Sequence, residues 1–94
     1  EFMEQKMRTF NLGRMVITPN ALDRLNPEDV RAAVARHASC DWGDCCPEDA
    51  AENEYALDRY LRLFSVYRDR EETKFWIITE ADRQVTTILL PEDY

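Results

Sequence analysis

The sequence predicts an α+β domain in which two or three N-terminal helices pack on a small antiparallel β-meander. Three observations carry this reading. Proline-led segments with helical spacing of apolar residues fill much of the first two thirds of the chain. Aromatic and β-branched runs separated by short polar turns fill the last third. A length of 94 residues suits one core, and leaves no room for two domains with a cofactor cleft between them.

In chain order, residues 8–18 place Phe10 and Leu12 two apart before Met15-Val16-Ile17, which reads as a strand with Gly13 as a bulge. Thr18-Pro19 then provides an N-cap and a proline at the first helical position, leading a short helix through Ala21, Leu22 and Leu25. Asn26-Pro27-Glu28-Asp29 repeats the device, with acids where the helix dipole favours them. The second helix should run from Pro27 to Ala38 with Val30, Ala33, Val34 and His37 as its buried stripe. Ser39 to Cys46 contains Gly43 and reads as a loop. Cys46-Pro47-Glu48-Asp49 opens a third helix, ending near Leu57 or Arg59, with Ala50, Ala51, Tyr55 and Leu57 as its expected inward positions.

After that the period changes. Tyr60–Arg68, Thr73–Glu80 and Gln84–Leu90 are expected to form three consecutive antiparallel strands, joined at one edge by the strand near residues 8–17. In the middle strand Phe75, Ile77 and Thr79 alternate with Trp76 and Ile78, so both faces are partly apolar. Helices can cover only one of them. The other face needs a shield, which suggests a homodimer through the sheet or a bound partner.

Glu1-Phe2 are what a common cloning site encodes, which makes Met3 the expected start and residues 3–94 the single domain. No apolar run approaches the roughly 20 residues that a membrane helix needs, and positions 1–20 hold no signal-peptide core. The expectation is a soluble, cytoplasmic protein with no membrane partner. Cys40, Cys45 and Cys46 are three in number and two are adjacent, a poor disulfide framework, so free thiols in a reducing compartment are expected.

Nineteen acids against twelve bases give a net charge of −7, which disfavours a direct grip on nucleic-acid phosphates. The placement of the charge is more informative than its sum. From His37 to Asp58 the chain has seven acids, Asp41, Asp44, Glu48, Asp49, Glu52, Glu54 and Asp58, and no Lys or Arg; elsewhere acids and bases balance. A solvated helix face explains this plainly, since acids favour a helix start. The functional reading is a docking surface for a basic partner, one that imitates the spaced charges of nucleic acid. Its partner-binding residues would be Asp41, Trp42, Asp44, Glu48, Asp49, Glu52 and Glu54, with Trp42 as the apolar anchor in the loop.

Two chemical alternatives use the same region. His37, Cys40, Cys45 and Cys46 are ligands of the type zinc selects, but their spacing matches no standard site, and neither a metal nor a cofactor is expected. A cysteine nucleophile with His37 as base would need an orienting group and a pocket that the sequence does not indicate. His37 with Arg62, Tyr67, Lys74, Thr86 and Thr87 could instead supply an acid/base, cations and hydroxyls, the kinds of residue that barnase-like ribonucleases and toxins use. The plain alternative is that Thr86 and Thr87 are ordinary β-branched strand residues and Arg62 and Lys74 are exposed on edges, and an acidic protein repels RNA over most of its surface. A binding protein is therefore preferred to an enzyme.

Ser39-Cys40-Asp41-Trp42-Gly43-Asp44, Glu52-Asn53-Glu54, Arg62 to Tyr67 and Trp76 to Pro91 resemble a family of small uncharacterised proteins of bacterial plasmids and integrative elements. Members are labelled plasmid-related, or restriction-system subunits without a domain to justify it. The resemblance spans about Phe10 to Tyr94; the family loop reads Gly-Asp-Trp-Gly, from which Cys40 departs. It implies a mobile-element setting and no settled activity. Small acidic proteins of such elements are often anti-CRISPR or antirestriction inhibitors that occlude a basic surface of a host nucleic-acid-handling complex, and toxins are the second common class.

Overall fold

The structure, a computed structural model, describes residues 9–94. Its elements follow the chain as β1 (Arg14–Ile17), α1 (Pro19–Arg24), α2 (Pro27–Ala38), α3 (Pro47–Arg59), β2 (Leu63–Arg68), β3 (Lys74–Thr79) and β4 (Val85–Leu89). A final 3-10 turn covers Pro91–Asp93. The α+β class and the three consecutive antiparallel strands are as the sequence predicts. The sheet itself is mixed, in the order β1-β4-β3-β2, because β1 enters parallel to β4 with Met15 opposite Thr86 and Ile17 opposite Ile88. A parallel neighbour needs a long connection. Here the three helices and two strands between β1 and β4 supply it, which a reading of adjacent segments does not reveal.

Each helix starts on a proline. Thr18 accepts from Ala21 N and Asn26 accepts from Glu28 N and Asp29 N, so two of the starts satisfy backbone donors that the helix itself leaves free. The main core lies between α1, α2 and one sheet face. Ala21, Leu25, Ala33, Phe75, Ile77, Ile88 and Leu90 are buried there, with Ile17, Val30 and Val34 packed around them. A second cluster, Cys40, Trp42, Ala56 and Leu63, joins the loop and α3 to β2.

The inward face of α3 differs from expectation. Ala51 and Tyr55 are exposed, while Asn53 and Ala56 are buried. The reason is edge satisfaction. Asn53 Nδ2 donates to Phe64 O at 2.6 Å and its Oδ1 accepts from Phe64 N at 3.0 Å, so one amide fills both open backbone positions of an edge residue. Two residues further along, Val66 N donates to Trp42 O and Val66 O accepts from Asp44 N, forming a bridge at Gly43. Gly43 has φ +70°, and a Cβ there would collide with Val66 O and the Tyr67 ring.

The opposite sheet face carries Trp76 and Ile78, and no helix among the described residues covers it. Ile78 is nonetheless buried. The shield comes from the chain itself: Trp76 meets the Phe64 ring at 5.1 Å and the Tyr94 ring at 5.7 Å, and Arg62 donates to the Tyr94 hydroxyl at 2.8 Å. Asp93 pins this C terminus, accepting from Thr18 Oγ1 at 2.6 Å, Asn20 Nδ2 at 3.1 Å and Leu90 N at 3.1 Å.

Candidate functional site

The seven residues expected to meet a partner divide into two groups. Asp41 and Asp44 leave the loop on either side of Gly43 and are engaged locally. Arg36 Nε donates to Asp41 Oδ2 at 2.8 Å and its Nη2 to Oδ1 at 3.2 Å, while Asp44 lies 3.7 Å from Arg68. The guanidinium beside Asp41 holds its carboxyl below the usual carboxylate range. Trp42 is not the exposed anchor that the sequence suggests. It is buried, stacks on Phe10 with centroids 6.2 Å apart, and donates Nε1 to Glu54 Oε2 at 2.9 Å. An acidic loop still buries its tryptophan because the Gly43 bridge pulls the backbone flat against β2.

Glu48, Asp49 and Glu52 behave differently. All three are exposed on α3, and none has a cation within ion-pair distance among the described residues. Asp58 shares that condition at the far end of the same helix. The dipole rewards acids in the first turn, which accounts for Glu48 and Asp49. It does not account for Glu52, and it opposes Asp58 in the last turn.

The ribonuclease set is not assembled. His37 is fully buried, edge-on to Phe10 at 5.2 Å and to Trp42 at 5.9 Å. Both of its ring nitrogens are used, Nδ1 by Ser65 Oγ and Nε2 by Thr79 Oγ1 at 2.8 Å. Thr86 is buried on the same face, while Thr87 alternates to the other, and Arg62 is paired with Glu80 at 3.3 Å. Lys74 is exposed at the start of β3, and the Tyr67 hydroxyl is committed to Asp41 O at 2.7 Å. His37, the general acid/base of this set, does not reach the surface.

The buried polar groups instead form a directed chain. Leu12 O can only accept, so Thr86 Oγ1 donates to it at 2.6 Å. Thr86 has one proton, so Thr79 Oγ1 donates to Thr86 across 2.7 Å. Thr79 must then accept from His37 Nε2–H, and because burial keeps the ring neutral, Nδ1 accepts from Ser65. Every donor is satisfied. Burial, aided by the charge of Arg83, pushes the imidazole down to about 4.

The thiols carry no comparable chemistry. Cys40 is buried, Cys46 is exposed, and Cys45 donates Sγ–H to Phe64 O at 3.3 Å with its pKa pushed up to about 11 by burial. A thiol held protonated is a poor nucleophile. Among the described residues no cluster of three or more His, Cys, Asp or Glu side chains could hold a metal ion.

No protein-family model, curated protein or solved structure matches this chain. The functional reading therefore rests on its residues.

Three residues with central roles escape the sequence reading. Asn53 was legible as a polar residue between Ala50 and Ala56 on the helix's inner stripe, a place where an amide needs a backbone partner. Asp69 is buried in the β2–β3 turn, where it accepts from Asn26, Glu71 and Thr73 backbone amides. Arg83 is buried without a carboxylate. Its guanidinium donates to Leu61 O at 2.7 Å, Ala56 O at 3.1 Å and Leu57 O at 3.4 Å, and to two carbonyls of its own turn, Glu80 O and Ala81 O. It caps the C terminus of α3, where the dipole supplies the opposing charge.

Proposed function

We propose that the protein is a non-enzymatic binding inhibitor, which docks the outer face of α3 on a basic surface of a host nucleic-acid-handling defence complex of the anti-CRISPR or antirestriction target type. The observation that carries this reading is Asp58. Acids at the start of α3 help the helix, but an exposed acid in its last turn works against it, and no described cation relieves it. Continuing the acidic stripe through Glu48, Asp49, Glu52 and Asp58 therefore serves something outside the chain. A surface of one sign speeds encounter with a cationic partner and fixes its orientation. Tyr55, 54% exposed on the same helix with the Arg59 guanidinium 4.0 Å over its ring, replaces Trp42 as the aromatic contact offered to a partner. The resemblance to mobile-element proteins supports the choice of target.

The test is joint charge reversal at Glu48, Asp49 and Glu52, compared with reversal at Asp23 and Glu71, which lie on other elements. Capture of a nucleic-acid-binding complex from a bacterial lysate, lost only with the α3 reversals, is the expected result. Equal capture by both variants overturns the reading. RNA cleavage by the purified protein, abolished by His37→Ala, would establish the ribonuclease alternative instead. Self-association across the sheet, the other partner expected, rests on Trp76 now that Tyr94 and Arg62 line the hollow over Ile78. Sedimentation of Trp76→Ser beside the parent chain tests it.

A further inference from the structure

Among the described residues no strand pairs with the outer edge of β1, and this edge borders a groove. Arg14 N donates to Gln84 O at 2.8 Å and Thr18 N to Ile88 O at 3.0 Å, so alternation turns the N–H and C=O groups of Met15 and Ile17 away from β4. Beside them a cavity of about 530 Å³ separates β1 from α2, lined by Leu12, Ile17, Val30 and Val34, with the small Ala35 and Ala38 leaving it wide. A second hollow of about 180 Å³ shares Ile17, Val30 and Arg31 and continues the apolar strip to Leu22. Met15 is 40% exposed and Leu22 67%.

Charge decides the occupant. Arg24, Arg36, Arg62, Arg68 and Arg70 each meet a carboxylate, and Arg83 is surrounded by carbonyls. Four other bases, Arg14, Arg31, Arg59 and Lys74, have no carboxylate partner among the described residues, and two of them lie here, Arg14 on β1 and Arg31 in the groove wall. Pairing β1 with β1 of a second copy would gather four such arginines at one seam, with like charges opposed. A partner that brings acids relieves them.

We infer that this edge and groove bind an extended segment of another protein, with alternating apolar and acidic residues, as a fifth strand on β1. Backbone bonds to Met15 and Ile17 would hold the strand, apolar side chains on one of its faces would enter the groove, and acids on its other face would meet Arg14, which alternates to the sheet face opposite Ile17. The site lies on a different element from the acidic face of α3 and has the opposite charge preference.

The probe is an eight-residue peptide of alternating valine and glutamate, titrated into the full-length ¹⁵N-labelled chain, with a valine–lysine peptide as control. Saturable shifts at the Met15 and Ile17 amides, at least tenfold slower exchange there, and at least tenfold weaker binding by Arg14→Glu and by Ala35→Glu are expected. Both substituted positions are exposed. Reversal of the α3 acids should leave this binding unchanged. No saturable shift at millimolar peptide, equal binding of the lysine peptide, or a concentration-dependent dimer that protects the β1 amides would each overturn the inference.

Discussion

His37 Nε2 donates to Thr79 Oγ1 across 2.8 Å, and the direction of that bond is set two hydroxyls away by the carbonyl of Leu12. An imidazole held in one neutral tautomer makes the stability of the fold depend on pH. Its folded pKa, about 4, lies below the ordinary value of 6.5. The unfolded chain therefore binds the proton first as pH falls, and stability present above pH 6.5 is lost down to pH 4. The difference corresponds to about 3 kcal/mol. Urea unfolding at pH 7, 5.5 and 4 should show this loss. A mutant with glutamine at position 37, if folded, should show a flatter profile over that window. Asp29, Asp41 and Asp93 have lowered pKa values too, so their contributions are lost only in more acidic solution, as pH falls below 3.8.

Thr79→Val removes the hydroxyl at the middle of the chain. His37 Nε2–H then has no acceptor, and Thr86 loses its donor. A cost of about 1–3 kcal/mol is expected, read from the chemical denaturation midpoint at pH 7. Ser65→Ala should couple strongly to it in a double-mutant cycle, because both bonds fix the same ring.

The two hairpin turns make opposite predictions for the same substitution. Glu72 and Arg83 both adopt positive φ, 65° and 61°, where glycine is favoured. Glu72 is exposed and its side chain has no described partner, so Glu72→Gly should stabilise the fold by about 1 kcal/mol. Arg83→Gly relieves the same backbone and should still destabilise by about 3 kcal/mol, because it uncaps α3 and leaves buried carbonyls unpaired. Thermal melts of the two variants decide it.

Trp42→Phe keeps an aromatic ring against Phe10 and removes the bond to Glu54. The expected loss is about 1 kcal/mol, read by denaturation. Partner capture through α3 should survive, since Trp42 is interior.

Most of the elements were legible because their signals are local. Proline at the first turn marks all three helix starts, and period-two runs mark β2, β3 and β4. What was not legible depends on residues far apart in the chain. The parallel pairing of β1 joins residues about seventy positions apart, and no local pattern distinguishes it from an antiparallel edge. Trp42 sits in a stretch whose composition says solvent, yet its burial is decided by a backbone bridge to Val66. The acidic block was visible as a block. Its division into the paired Asp41 and Asp44 and into Glu48, Asp49, Glu52 and Asp58, which have no ion-pair partner among the described residues, required knowing where Arg36 and Arg68 lie.

The amide of Asn53 and the bridge at Gly43 also govern how many neighbours the sheet can acquire. With Phe64 and Val66 already bonded along the β2 side, that flank offers little template for growth, and among the described residues β1 is the flank that remains. A sheet with a single live flank has a valence of one. A second copy docked there through its own β1 would end the series, so copies of the chain would not propagate into a fibre by edge-to-edge addition. Asn53→Leu would free Phe64 alone, since the Gly43 bridge still holds Val66, so a change made inside a helix would open that flank only in part.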